Sequence, residues 1–382
     1  MFLLEHHGKE LLASHGIAVP AGAFVSSGGD PQALALPDGP LMVKAQIAAG
    51  GRGKAGLVRA AASRTEATRI VGQLESTGAN GKPIHGFRIE QRIDFIREAY
   101  VSLSVDAKAA RIRLMVAPEG GVDVEAAATQ RSILSDPEGL PQAVKQLCAT
   151  LPPDMRAVLH DASMRLADAF LRHEATLLEI NPLFIVAGGR FVAGDVKLVI
   201  DDNAIPRQPA IRALLEQHPG IYPEAARKLA HGFDYVEVDP QGEIGLITTG
   251  AGLSMQLIDE LKSQGCRPLN FCDIRSGQFR GDPARLVAAM RWIAARRTVR
   301  VVLVNIFAGI TDLAEFARLL VQAAAQVPEL RVPIVARLIG RNLDDARQIL
   351  DASALAVTLE PGLDRAVGLT LAALDANGAH RG

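Results

Sequence analysis

Residues 299–306 read VRVVLVNI, an almost unbroken apolar run of strand-forming residues. A strand with no polar face must be covered on both sides, and a parallel sheet between two helical layers does that. The chain around this run supplies such layers. Strand patterns at 243–248, 268–272, 332–338 and 355–357 alternate with helical patterns at 253–262, 282–295, 313–325, 344–352 and 362–375. Five strands of this kind predict an α/β unit with flavodoxin-like order and a ligand crevice beyond the strand C-termini. The character of the chain changes near residue 225, which divides it into 1–225 and 226–382.

The first part is organised around residues 176–197, TLLEINPLFIVAGGRFVAGDVK. Two strand patterns flank Ala187-Gly188-Gly189, a turn in which Gly189 takes the left-handed position. With Val186 paired to Arg190, the ladder sets Asn181 opposite Asp195 and Glu179 opposite Lys197. Side chains alternate along a strand, so all four face the same way, with directly opposed partners roughly 5 Å apart. Oxygen donors on a rigid element suit a hard cation such as Mg²⁺. The same pattern also serves as the solvated face of an amphipathic hairpin.

A further strand, 41–46 (LMVKAQ), runs into AAGGRGKAG. Gly51 to Gly56 matches GxGxxG, but a strand rather than a helix follows, so the dinucleotide reading fails. A Walker A loop fails as well, because Ala55 follows Gly53-Lys54. What remains is a glycine loop between antiparallel strands, carrying Arg52 and Lys54. Such a loop either cradles phosphates or forms a plain hairpin turn. In the second part, 248–252 (TTGAG) and 307–311 (FAGIT) are small-residue loops feeding helix N-termini. Each is a seat for an anion or a packing device. His6-His7 look like a ligand set that no further histidine or cysteine at i+4 completes, and they read as solvated helix residues.

Lys plus Arg number 41 against 42 Asp plus Glu. That balance leaves no overall field for nucleic acid or an anionic membrane. Three cysteines without a CxxC pair point to a reducing compartment and away from zinc. No run reaches the roughly 18 apolar residues of a membrane span. A cytoplasmic location is the expectation, with a matrix location as the other possibility.

Six motifs in order resemble the β subunit of succinate–CoA ligase over nearly the whole chain: KELLASHGIAVP, VKAQIAAGGRGKAG, EGGVDVE, LLEINPL with a following Asp-x-Lys, GEIG…GAGLSM and LVNIFAGI. The resemblance implies an ATP-grasp fold over 1–225 and a flavodoxin-like ligase domain over 226–382. It places the phosphate-binding lysine at Lys44 and the glycine loop at Gly51, Arg52 and Gly53. Adenine and ribose contacts fall at Glu90, Ile93 and Glu98, the Mg²⁺ ligands at Asn181 and Asp195, and a glutamate orienting a phosphohistidine at Glu179. Pro20 resembles the ATP-preferring form of a nucleotide-selecting loop. The implied reaction joins a carboxylate to CoA with ATP giving ADP and phosphate. The histidine and most of the CoA site belong to a partner α subunit. The helix end after Gly309 would stabilise the travelling phosphoryl group.

Departures cluster in the ligase domain, among the candidate substrate residues Thr249, Arg275, Gly309, Ile310 and Thr311. Thr249 stands where the family has Asn, Asp273-Ile274-Arg275-Ser276-Gly277 where it has Asp-Val-Gly-Gly-Gly, Ala308 where it has Gly, and Ile339 where it has Glu. A semi-buried Arg275 could pair with an extra carboxylate. The expectation is a paralogue for another acid, malate or a larger diacid, with succinate weak; neutral drift in a loop is the alternative. Two rival functions are a carboxylate–amine ligase sharing the first domain and a nucleotide-binding subunit without catalysis.

Overall fold

The structure is a computed structural model and describes residues 1–79, 81–121 and 130–378. The EGGVDVE motif lies largely outside these residues. The chain divides into two compact units, Met1–Leu214 and Leu215–Gly382.

Unit 1 begins with α1 (Glu5–Ser14), β1 (Gly22–Ser26), β2 (Leu41–Gln46), β3 (Val58–Ala61), α2 (Arg64–Thr77) and β4 (Gly86–Gln91). These strands form a mixed-order antiparallel sheet, β1-β4-β2-β3. Helix α2 covers it, its Ile70, Val71 and Leu74 meeting Leu41, Val43 and Ile89 in one apolar cluster. Ser63 caps α2, its side chain accepting from the Glu66 N–H, and Glu66 reaches back to the Ala62 N–H.

A second sheet follows from β5 (Arg97–Asp106), β6 (Arg111–Ala117), β7 (Arg131–Ser135), α3 (Leu140–Ala149), α4 (Arg156–Arg172), β8 (Ala175–Val186), β9 (Arg190–Ala193) and β10 (Val196–Ile200). Its order is β10-β8-β5-β6-β7, with β9 pairing β8. The register is the one expected from the turn: Val186 faces Arg190 and Glu179 faces Lys197. Gly188 and Gly189 both hold positive φ in that turn. Helix α1 lies close on β10, where a Cβ on Gly8 would stand 3.1 Å from a Val196 methyl. Residues 17–19 carry no regular structure, and β7 and α3 complete the elements around the second sheet.

Unit 2 comprises part of α5 (Pro209–Gln217), then α6 (Pro223–His231), β11 (Asp234–Glu237), β12 (Ile244–Thr248), α7 (Ala251–Ser263), β13 (Asn270–Asp273), α8 (Ala284–Ala294), β14 (Val301–Asp312), α9 (Leu313–Ala325), β15 (Ile334–Arg341), α10 (Leu343–Asp351), β16 (Val357–Leu359) and α11 (Leu363–Gly378). The sheet order is β11-β13-β12-β14-β15-β16. Without the antiparallel edge strand β11 this is the flavodoxin order 2-1-3-4-5. The apolar run of β14 is explained by its two covers. Val302, Val304 and Ile306 enter one core with α8 and α9, and Val301 and Leu303 enter another with α7 and α11.

Candidate active site

Unit 1 holds a cleft of about 770 Å³, and every residue lining it belongs to that unit. The glycine loop forms one wall. Gly51 takes φ +79°, a left-handed conformation that costs glycine nothing. The loop closes on itself through Ala55 N–H to Gly51 O and Leu57 N–H to Arg52 O, which turns the Arg52 side chain inward. Glu179, Asn181, Asp195 and Lys197 of the hairpin form the opposite wall. The Asn181 N–H donates to the Asp195 carbonyl at 3.3 Å, fixing the two residues side by side. Lys197 lies under the loop, with its Nζ 3.8 Å from where a Gly50 Cβ would be.

Between the walls sits a buried ionic cluster. Lys44 Nζ donates to Glu5 (2.9 Å) and to the Gly194 carbonyl (2.7 Å), and lies 2.8 Å from Glu90. Arg52 bridges two carboxylates, with Nη1 on Glu5 at 2.7 Å and Nη2 on Asp195 at 2.5 Å. Arg88 Nε donates to Glu90 at 2.5 Å. Burial alone would raise the Glu5 carboxyl, but Arg52, Lys44 and Lys9 together hold it well below the usual range. Burial alone would lower the Lys44 ammonium, and Glu5, Glu90 and Asp195 outweigh it, so Lys44 stays fully charged. Asp195 differs: burial pushes its carboxyl up, Arg52 opposes, and Glu5 adds to the rise.

Asn181 and Asp195 are hard oxygen donors on adjoining positions. Asn181 also grips Gly121, its Oδ1 accepting from the amide at 2.9 Å and its Nδ2 donating to the carbonyl at 3.0 Å. The donor set fits a divalent cation that fills its shell with water and phosphate oxygens. A cage of three or more His, Cys, Asp or Glu side chains is absent among the described residues.

Other expected residues are placed variously. Ile93 and Glu98 line the cleft. Glu90 touches it too, but its carboxylate is 1% exposed and committed to Lys9, Lys44 and Arg88. His6 and His7 are not solvated. His7 is buried, and His6 stacks on Phe24 with ring centres 4.7 Å apart. Sequence reasoning passed over Glu5 and Lys9. The available signal was their position on the buried stripe of α1, at i and i+4 with Leu12 at i+7.

In unit 2 the hydroxyls of three strand ends meet. Ser276 Oγ lies 3.2 Å from Thr249 Oγ1 and 2.9 Å from Thr311 Oγ1. The expected loop at 307–311, which includes Gly309 and Ile310, is instead the end of β14, which runs on to Asp312 alongside β15. Its backbone pairs irregularly there, Phe307 with Ile339 and Asp312 with Arg341. The N-terminus of α9 is also occupied. Asp312 Oδ1 accepts from the Ala314 and Glu315 amides, so two of the donors at this helix end are already engaged. Helix α7 starts at Gly250 without a side-chain cap. Arg275 is 39% exposed at its side chain and pairs with Asp234 at 2.9 Å, so its guanidinium already has a carboxylate.

Family models described as an ATP-grasp domain and as a CoA-ligase match residues 2–185 and 247–366. An ATP-grasp unit followed by a CoA-ligase unit defines an ATP-dependent acid–thiol ligase. More narrowly, the chain belongs to the family of ADP-forming succinate–CoA ligase β subunits. It is 34% identical to that subunit of Chloroflexus aurantiacus, over 96% of this chain and 98% of the relative. The Bacillus licheniformis subunit is 36% identical, with 94% and 96% covered. Among solved structures, an ATP citrate lyase from Methanothrix soehngenii, in complex with citrate and coenzyme A, shares the fold. Its TM-score is 0.75 at 19% identity, covering 97% of this chain and 99% of that one. No described helix is long and apolar enough to cross a membrane.

Proposed function

We propose that this chain is the β subunit of a cytoplasmic acid–CoA ligase. Its unit 1 cleft phosphorylates a histidine of a partner α subunit from ATP, and the phosphoryl group then activates a carboxylate for thioester formation with CoA. The observation that carries the reading is the convergence of Lys44 and Arg52 on the Asn181–Asp195 pair across one cleft. Phosphoryl transfer needs little covalent help from a protein; it needs alignment and neutralised charge. Lys44 and Arg52 would take the phosphate oxygens, and Arg52 would exchange Asp195 for them as nucleotide enters. Asn181 and Asp195 would hold Mg²⁺, which supplies charge neutralisation across the phosphates. Glu98 and Ile93 would flank the nucleoside, and Glu179 would orient the incoming histidine.

The acid is read as succinate or a related di- or tricarboxylate such as malate. The hydroxyls of Thr249, Ser276 and Thr311, which now bond one another, would supply small, rotatable donors to a carboxylate by turning away from those bonds. Arg275, held by Asp234, stands next to that row and would contribute only by leaving its present partner. The test is ATP-dependent thioester formation by the chain with its α subunit, compared across succinate, malate and larger diacids, together with radiolabelled phosphate transfer to the partner. Label on a partner histidine is expected. Thioester formation without any labelled histidine would refute the route, and succinate as clearly the best acid would refute the expectation of a paralogue for another acid.

A further inference from the structure

The cluster contains a second lysine that the cleft never sees. Lys9 is 0% exposed and sits directly behind Lys44. Its ammonium donates to both Glu90 oxygens (2.8 and 2.7 Å) and to the Gly194 carbonyl (2.7 Å), and lies 2.7 Å from Glu5. These are the three acceptors that Lys44 uses. A fully buried ammonium is costly unless carboxylates surround it, so each of these contacts holds its partner as firmly as it holds Lys9. Gly194 is the residue before Asp195, and it is wedged: a Cβ there would stand 2.4 Å from the Phe184 ring.

We infer that Lys9 is a positioning residue for nucleotide binding, fixing Glu5, Glu90 and the Gly194–Asp195 backbone so that Lys44 and the metal-ligand carboxylate are set in place together. The inference rests on the reading of the cleft as the nucleotide site. Its electrostatic side is a count. Lys9, Lys44, Arg52 and Arg88 give four cations against the three carboxylates of Glu5, Glu90 and Asp195. One positive charge is in excess, ready for phosphate. Removing Lys9 cancels that excess and leaves Lys44 as the only ammonium on Glu5, Glu90 and Gly194. Burial, with Lys44 and Arg88 beside it, pulls the Lys9 ammonium below its ordinary value, and Glu5 and Glu90 oppose that fall.

The experiment is calorimetric titration of ADP with Mg²⁺ into the purified full-length enzyme and four variants: Lys9→Met, Glu90→Gln, the two combined, and Lys44→Met. Lys9→Met is expected to weaken ADP binding by about tenfold and to raise the KM for ATP more than it lowers kcat, as loss of one charge beside a phosphate site does. The combined variant separates the effect of Lys9 from that of Glu90 and is expected to bind more weakly than Glu90→Gln alone. Should Lys9→Met not fold, the drop from Glu90→Gln to the combined variant, again about tenfold, is read instead. A folded Lys9→Met protein with a lower Tm but unchanged affinity, or equal affinities for Glu90→Gln and the combined variant, would overturn the inference. Unchanged ADP binding in Lys44→Met would reject the nucleotide site itself.

Discussion

The candidate sites of the two units are built from opposite materials. The cleft of unit 1 is built from fixed charge, contributed by α1, β2, the glycine loop, β4 and the hairpin. Each charge is held by at least one other. Unit 2 instead gathers hydroxyls, those of Ser276 and Thr311 buried against each other, while the nearby charges are already used: Asp312 caps α9 and Arg275 pairs with Asp234. A phosphate site needs charges that do not rearrange while the phosphoryl group moves. A site for an acid can change its preference through a hydroxyl or an amide without disturbing that machinery.

This contrast can be broken at several points. Lys44→Met, by removing the cation proposed to take the phosphates, is expected to lower turnover by about a thousandfold, read as thioester formation at saturating substrates. Acid should separate the units next. Glu5 and Glu90 are held below the ordinary carboxylate range in the folded chain. Their contribution to stability is therefore present above the unfolded-state value of about 4.3 and lost as pH falls through their lower folded-state values. Hydrogen exchange in α1 and β4 should accelerate below about pH 4, while fluorescence of Trp292, the single tryptophan, reports unit 2 still folded. Loss of unit 2 first would contradict the assignment of acid sensitivity to the cluster. Thr249→Asn is expected to shift the kcat/KM ratio between succinate and malate by about tenfold, with the KM for ATP unchanged. The smallest effect belongs to Ser276→Ala, which removes the hydroxyl linking Thr249 and Thr311. A loss of about 1 kcal/mol, seen in denaturant unfolding, is expected.

The sequence exposed what short-range rules govern. A two-residue period and a glycine turn were enough to place Glu179 opposite Lys197 and Asn181 beside Asp195. The flavodoxin order of unit 2 was likewise legible in its apolar strands. The ionic cluster was not, because Glu5, Lys9, Glu90 and Gly194 meet only after two sheets and a helix have assembled. A charged pair on a helix reads as solvated until the opposite charges arrive. The end of β14 was misread for a related reason. Small residues at 307–311 signal a loop locally, but pairing with β15 and the Asp312 cap carry the strand onward. Helix α3 is a plain miss, since Leu140, Ala143, Val144 and Leu147 have helical spacing.

The most direct test of the nucleotide site compares ADP affinity with and without Mg²⁺ in the parent and in Asp195→Asn. The parent should bind ADP more tightly when Mg²⁺ is present, and the variant should lose most of that gain while still binding ADP through Lys44 and Arg52. An undiminished Mg²⁺ effect in Asp195→Asn would place the cation, and with it the phosphates, somewhere else.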